Sequence, residues 1–381
     1  MDAVARIKET CTVILKLSAV EEKGAAVSFL SMDIGGNKLN DKAFSLMCSQ
    51  FAVILNSGVP ITRAVHLVAD KISDKPLKRV LKQVADDVEA GRSLAASFAE
   101  RGEKLLPVTF IESIRAGEES GSLAESFRAV GDHFTKQTKT KSKVRGAMIY
   151  PAFVLVIAVV VVIVLMVKVV PTFTAIFDGY DAELPGMTKA LIAISDFFRK
   201  YILYIVAAVI VIFIGFKLYG NTEQGRLNLS KLSLKLPVLG NIGVLNAASQ
   251  FANTMAMMIG AGLTLTRAVS ITAKTISNYY ISQEVGKLSG KLEEGHTLGA
   301  SLRSSGCLPD ILTDMTAVGE ETGELEKTLI TVAQYYDTEL EQATADALAK
   351  LEPTVLVFLA VVAGFIVISI YLAMFSMYSA M

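Results

Sequence analysis

The sequence predicts an all-α, polytopic membrane protein with three transmembrane helices and two repeated cytoplasmic six-helix bundle domains. Three observations predict it. The 381 residues are 52% hydrophobic and only 19% charged, whereas soluble domains average nearer one quarter charged. The apolar excess is concentrated in three runs of membrane-crossing length. Two long segments match one another in register, and each carries apolar residues spaced for helices.

Taken in order, residues 1–43 read as an N-terminal cytoplasmic segment without a secretory signal. Their longest apolar stretch, Cys11 to Leu15, is too short for such a signal and is flanked by Lys8, Glu9 and Lys16. Residues 44–147 read as the first bundle. Turn signals at Gly58-Val59-Pro60, Ser73 to Pro76, Gly91 and Gly117 to Gly121 divide it into short helices. Ser122 followed by Glu125 has capping-box spacing for the last of them.

Residues 148–170 are expected to be the first transmembrane helix. From Ala152 to Val170, fifteen of nineteen positions are Val, Ile, Leu or Phe, which favours insertion by about 5–9 kcal/mol. Lys168 opposes this by at most about 3 kcal/mol and can snorkel from near the helix end. Residues 171–200 then read as a periplasmic loop and 201–219 as the second crossing, with tyrosines at both ends and Lys217 near its exit. A cytoplasmic linker (220–246) leads to the second bundle (247–352). The third crossing (353–376) is uncharged throughout and leaves a short periplasmic C-terminus (377–381).

Basic residues set the orientation. Lys136, Lys139, Lys141, Lys143 and Arg145 precede the first span, and Lys217, Arg226, Lys231 and Lys235 lie at and after the end of the second. The 171–200 segment is acidic by comparison. Positive charge stays cytoplasmic, so both bundles and the N-terminus are expected inside and the C-terminus outside.

The repeat shows in particular residues. At an offset of 204, Gly58, Thr62, Arg63, Ala64 and Val65 fall on Gly262, Thr266, Arg267, Ala268 and Val269. At 202, Pro107 meets Pro309, Ala116 to Leu123 meets Val318 to Leu325, and Pro151 meets Pro353. Helix phase is kept as well: Leu77, Leu81, Val84 and Val88 correspond to Ile281, Val285, Leu288 and Leu292, and Leu123, Phe127, Val130 and Phe134 to Leu325, Leu329, Val332 and Tyr336. A bundle followed by one crossing, used twice, would leave the second bundle outside. The middle crossing returns the chain, so both bundles face one compartment as a dimer-like platform.

Equal numbers of acidic and basic residues, 37 each, give no bulk basicity for nucleic acid. Cys11, Cys48 and Cys307 are isolated, which suits reduced thiols packed as small hydrophobes. His66, His133 and His296 are scattered without metal-ligand spacing, and the glycines of Gly286 to Thr297 complete no Walker motif. No metal, cofactor or catalytic residue is expected, and the chain does not read as an enzyme. The acidic pairs Glu118–Glu119 and Glu320–Glu321 have two readings. They form an interface for basic residues of a partner or of the other bundle, or they favour the N-terminal end of the following helix through its dipole, at about 0.3–1 kcal/mol each.

The Gly58-Val59-Pro60 and Gly262-Leu263-Thr264 turns, the paired G-E-E-x-(S/T)-G-x-L motifs, and Tyr150-Pro151 and Glu352-Pro353 entering membrane helices resemble one family. It is the type II secretion system protein F and type IV pilus inner-membrane platform family, matched from about Phe44 to the C-terminus. The resemblance implies a non-catalytic, multi-pass protein of the bacterial inner membrane. It would work beside a cytoplasmic assembly or secretion ATPase, handle pilin or pseudopilin subunits, contact other inner-membrane components of the machine, and form homo-oligomers. Some members hold a divalent cation with a carboxylate beside the turn after the first bundle helix; here Arg63 and Arg267 stand at those positions. The alternative function is a subunit of a membrane transporter or channel. Such folds usually carry broken helices and mid-membrane polar groups, which these spans lack.

Overall fold

The computed structural model describes residues 39–103, 105–169, 172 and 185–380. The N-terminal segment expected over 1–43 therefore lies almost wholly outside the described residues, as does most of the 171–184 stretch. Every regular element among the described residues is helical.

Six helices lead into the first apolar run: α1 (Asp41–Asn56), α2 (Ile61–Lys71), α3 (Lys75–Glu89), α4 (Leu94–Gly102), α5 (Val108–Ser120) and α6 (Leu123–Val164). Their ends follow local chemistry. Asn40, Asp74 and Ser93 cap α1, α3 and α4 with side-chain oxygens, and Pro60 and Pro107 precede α2 and α5. The core is built on phenylalanine: Phe44, Phe51, Phe98, Phe110 and Phe127 are fully buried. Phe51 stacks on Phe127 with centroids 4.5 Å apart, and Phe44 meets Phe134 edge-on at 4.8 Å. Leu77, Leu81, Val84 and Val88 are all buried, as the 3.6-residue spacing requires.

The second half follows the same order. It comprises α9 (Leu239–Gly260), α10 (Leu265–Thr275), α11 (Tyr279–Gly286), α12 (Leu288–Glu293), α13 (Leu298–Ser305), α14 (Asp310–Thr322) and α15 (Leu325–Ala380). The element matching α3 is split into α11 and α12 at Lys287. Gly286 and Gly290 stand there in place of Lys82 and Asp86, and each helical glycine costs about 1 kcal/mol against alanine. This core has one phenylalanine, Phe251, and fills its volume with Met255, Met258, Leu312, Leu329 and Tyr336.

Among the described residues, two helices are long and apolar enough to cross a membrane, α6 with its π-helical extension Leu165–Val169, and α15. In each, the last bundle helix and the apolar run are one continuous helix of 42 and 56 residues, with Pro151 and Pro353 inside it. The sequence reading placed these prolines at the entrance of separate helices. Each instead stays within the helix, where it removes one backbone donor and leaves the carbonyl four residues earlier to another partner.

Between them, α7 (Gly186–Asn221) is helical through the last fifteen residues of the segment expected as a loop. Thr188 Oγ1 donates to the Ser369 carbonyl at 2.8 Å, and Ser195 Oγ to the Met166 carbonyl at 2.6 Å. Met166 lies in the π-helical turn, where the changed ladder leaves carbonyl capacity for a neighbouring hydroxyl. Met166, Leu191 and Ile366 close a small apolar cluster there. The expected linker 220–246 holds another helix, α8 (Glu223–Lys235), tied to α11 through Asn278 Nδ2, which donates to the Ser230 carbonyl at 3.1 Å.

Candidate functional site

The two G-E-E motifs adopt one local structure. Gly121 and Gly323 end α5 and α14 in the left-handed region at φ 75° and 74°, which glycine reaches without a Cβ clash. Gly117 and Gly319 lie where the helices touch: a Cβ on Gly117 would stand 2.2 Å from Ser126 Oγ, and one on Gly319 2.9 Å from Thr328 Cβ. Between these glycines, Glu118 turns its carboxylate onto the N-terminus of α4. It accepts from the Leu94 N–H at 2.7 Å, the Ala95 N–H at 3.0 Å and Ser93 Oγ at 2.6 Å. Glu320 does the same on α13, accepting from Leu298 N–H at 2.8 Å and Gly299 N–H at 3.0 Å.

These carboxylates meet helix dipoles, but of helices earlier in the chain rather than the ones that follow. Glu119 and Glu321, the second member of each pair, are exposed. The capping box expected from Ser122 and Glu125 does not form. Ser122 has ψ 38°, away from the extended geometry of a cap, and its hydroxyl pairs with Ser120 Oγ at 2.7 Å.

A seam joins the halves. Lys136 on α6 pairs with Asp337 on α15, and Lys143 with Glu341 at 2.6 Å. Both contacts advance in the same chain direction, so α6 and α15 run parallel. Asp337 also accepts from Ser249 Oγ and from Asn253 Nδ2 at 3.1 Å, which fixes α9 to the same carboxylate. Farther out, the largely buried Glu112 on α5 accepts from Arg267 on α10 at 2.8 Å. Arg267 is thus spent on the other half of the chain.

Beside these pairs lies a cleft of about 540 Å³ lined from both halves, including Glu125, Asp132, His133, Lys136, Asn253 and Glu326. Burial pushes the His133 imidazole down to about 4, with Lys136 acting in the same sense and the Asp337 charge opposing. Among the described residues, no three His, Cys, Asp or Glu side chains converge as metal ligands. His66 instead faces Glu89 at 2.7 Å on the surface. Cys48 is fully buried and burial raises its thiol strongly; Cys307 is partly buried and also raised by burial. The seam pairs join the two helical bundles and the long helices that continue into the apolar runs.

Sequence reasoning singled out the acidic pairs but passed over Glu112, Lys136, Asp337 and the cleft role of His133. Ion pairs across 155 to 201 residues leave no local signature. Only non-equivalence between the repeats, such as Lys136 against Thr338 and Asp337 against Thr135, offered a hint.

The sequence model of the family described as "Type II secretion system (T2SS), protein F" matches this chain twice, over residues 47–171 and 251–373. The chain is 31% identical to the type IV pilus assembly protein PilC of Thermus thermophilus, over 88% of this chain and 82% of that protein. It is 29% identical to PilC of Pseudomonas aeruginosa, over 90% and 91%. The type II secretion system protein F of the same organism is 28% identical over 89% and 84%. With its two matched halves and near-complete coverage of these relatives, the chain belongs to the type II secretion system protein F family.

Proposed function

We propose that this chain is the inner-membrane platform of a type IV pilus or type II secretion assembly machine. It would couple a cytoplasmic ATPase to extraction and polymerisation of pilin or pseudopilin subunits. The relatives' names support the machine, and one observation supports the coupling: each bundle continues into an apolar helix without a break. A helix held at its cytoplasmic end by a packed bundle transmits tilt or rotation into the bilayer, which a hinged connection would absorb.

In this reading α7 supplies a third crossing, both bundles lie in the cytoplasm, and α15 ends in the periplasm. No nucleotide-binding motif is present in the sequence, so the work comes from the ATPase. Of the four glutamates first singled out, Glu118 and Glu320 are engaged inside their own bundles, which leaves Glu119 and Glu321 as the contacts for a basic partner surface.

Inserting four glycines after Gly146 in α6 tests the coupling. The variant is expected to reach the membrane and retain the ATPase in pull-down, yet fail to assemble pili or secrete. Normal assembly by the inserted variant would refute mechanical continuity. Normal assembly in a strain lacking the gene would refute the platform assignment itself.

A further inference from the structure

The seam between the halves is one-sided. Helix α5 packs on α9 and α10, but among the described residues α14 has no comparable packing on α1 and α2, although these are the corresponding elements. The positions facing the seam in the first half therefore have exposed counterparts in the second. Thr109 and Ser113 are 2% and 1% exposed; their counterparts Ile311 and Met315 are 51% and 36% exposed, and Val318, one turn on, is 48% exposed. The partner face shows the reciprocal pattern. Met257 on α9 packs partly buried against the first core, while its counterpart Val53 on α1 is 66% exposed. Charge repeats the correspondence: Glu112 holds Arg267, and their counterparts, Asp314 (paired with Arg303 of its own bundle) and Arg63, are both exposed.

We propose that the α14 face of one chain docks on the α1–α2 face of a second copy of this chain, by the same contact that joins the two halves within a chain. Asp314 then meets Arg63 of the second copy, and Ile311, Met315 and Val318 cover Val53 and Leu46. Covering these faces removes large apolar side chains from water, which isolated surface positions do not require. The face is self-complementary only head to tail, so it is a heterologous contact that propagates until it closes. Because α6 and α15 run parallel, repeating the contact keeps every membrane helix on one side. The inference rests on the equivalence of the two halves and not on what the machine assembles.

A photoreactive benzoylphenylalanine at Met315, in the purified full-length protein in detergent, tests the contact. A second probe at Met257 reports the seam within the chain. The Met315 probe is expected to give an adduct of twice the chain mass that maps to residues 46–67. Arg63→Glu should lower its yield severalfold, and Arg63→Glu with Asp314→Lys should restore it. An adduct only within one chain, a double-mass adduct mapping elsewhere, or no adduct would each overturn the proposal. Loss of the Met257 adduct to the first half would overturn the equivalence beneath it.

Discussion

Replacing Glu118 by alanine isolates what the first glutamate of the motif does. Its carboxylate accepts from two backbone N–H groups and one hydroxyl at the start of α4, all within 3.0 Å. Loss of an N-terminal cap costs about 0.5–2 kcal/mol, and the lost charge at the dipole adds about 0.3–1 kcal/mol. Ser93 still caps the Ala96 N–H, so part of the first turn survives. A net cost of about 2 kcal/mol follows, which lowers the protection of amides in α4 by about 30-fold. Hydrogen exchange read by mass spectrometry over residues 94–102, in the full-length protein in detergent, measures this locally and needs no two-state unfolding. Glu118→Gln should lose about half as much, since it keeps one acceptor oxygen. Glu119→Ala should change exchange by about twofold or less, as an exposed substitution. Exchange over α4 that stays within about threefold of wild type in Glu118→Ala, or rises equally in Glu119→Ala, would refute the assignment.

Four further outcomes follow from the geometry. Gly117→Ala should lower thermal stability by about 1–3 kcal/mol because its Cβ meets Ser126, whereas Gly146→Ala, with open space around it, should raise it by about 0.4–1 kcal/mol; melting curves in one detergent compare them. Asp337→Ala strands Lys136, Ser249 and Asn253 and should cost about 1–3 kcal/mol, with exchange rising on α6, α9 and α15 together. His133 holds its imidazole near 4 against an ordinary 6.5, so the fold binds fewer protons than the unfolded chain between those values. Its contribution is complete above pH 6.5 and lost as pH falls toward 4; His133→Gln should flatten stability over that window. For topology, Glu119→Cys should resist a membrane-impermeant thiol reagent in cells with an intact inner membrane, while Asp181→Cys should react. Native Cys48 cannot report sidedness, because packing alone shields it.

The helical class and the two long apolar helices were legible in the sequence because each rests on interactions near in the chain. Apolar spacing decided which faces of α3, α6 and α15 are buried, and the glycines at 121 and 323 announced left-handed turns that side chains disfavour. The acidic pairs stood out because each follows a glycine in both repeats, with a partner interface and a helix-dipole role as the two readings; for the second, local reasoning could reach only the following helix. Packing of α5 beside α4 and of α14 beside α13 decided which N-terminus Glu118 and Glu320 reach, and separated them from their exposed neighbours Glu119 and Glu321. Likewise Pro151 and Pro353 read as boundaries, since proline removes a helical hydrogen bond, yet each stays inside one helix. The seam was invisible beforehand: Glu112 and Arg267, or Lys136 and Asp337, meet only after two bundles fold and pack. Which of two homologous faces is covered, and which stays open, is a property of that packing and not of either repeat alone.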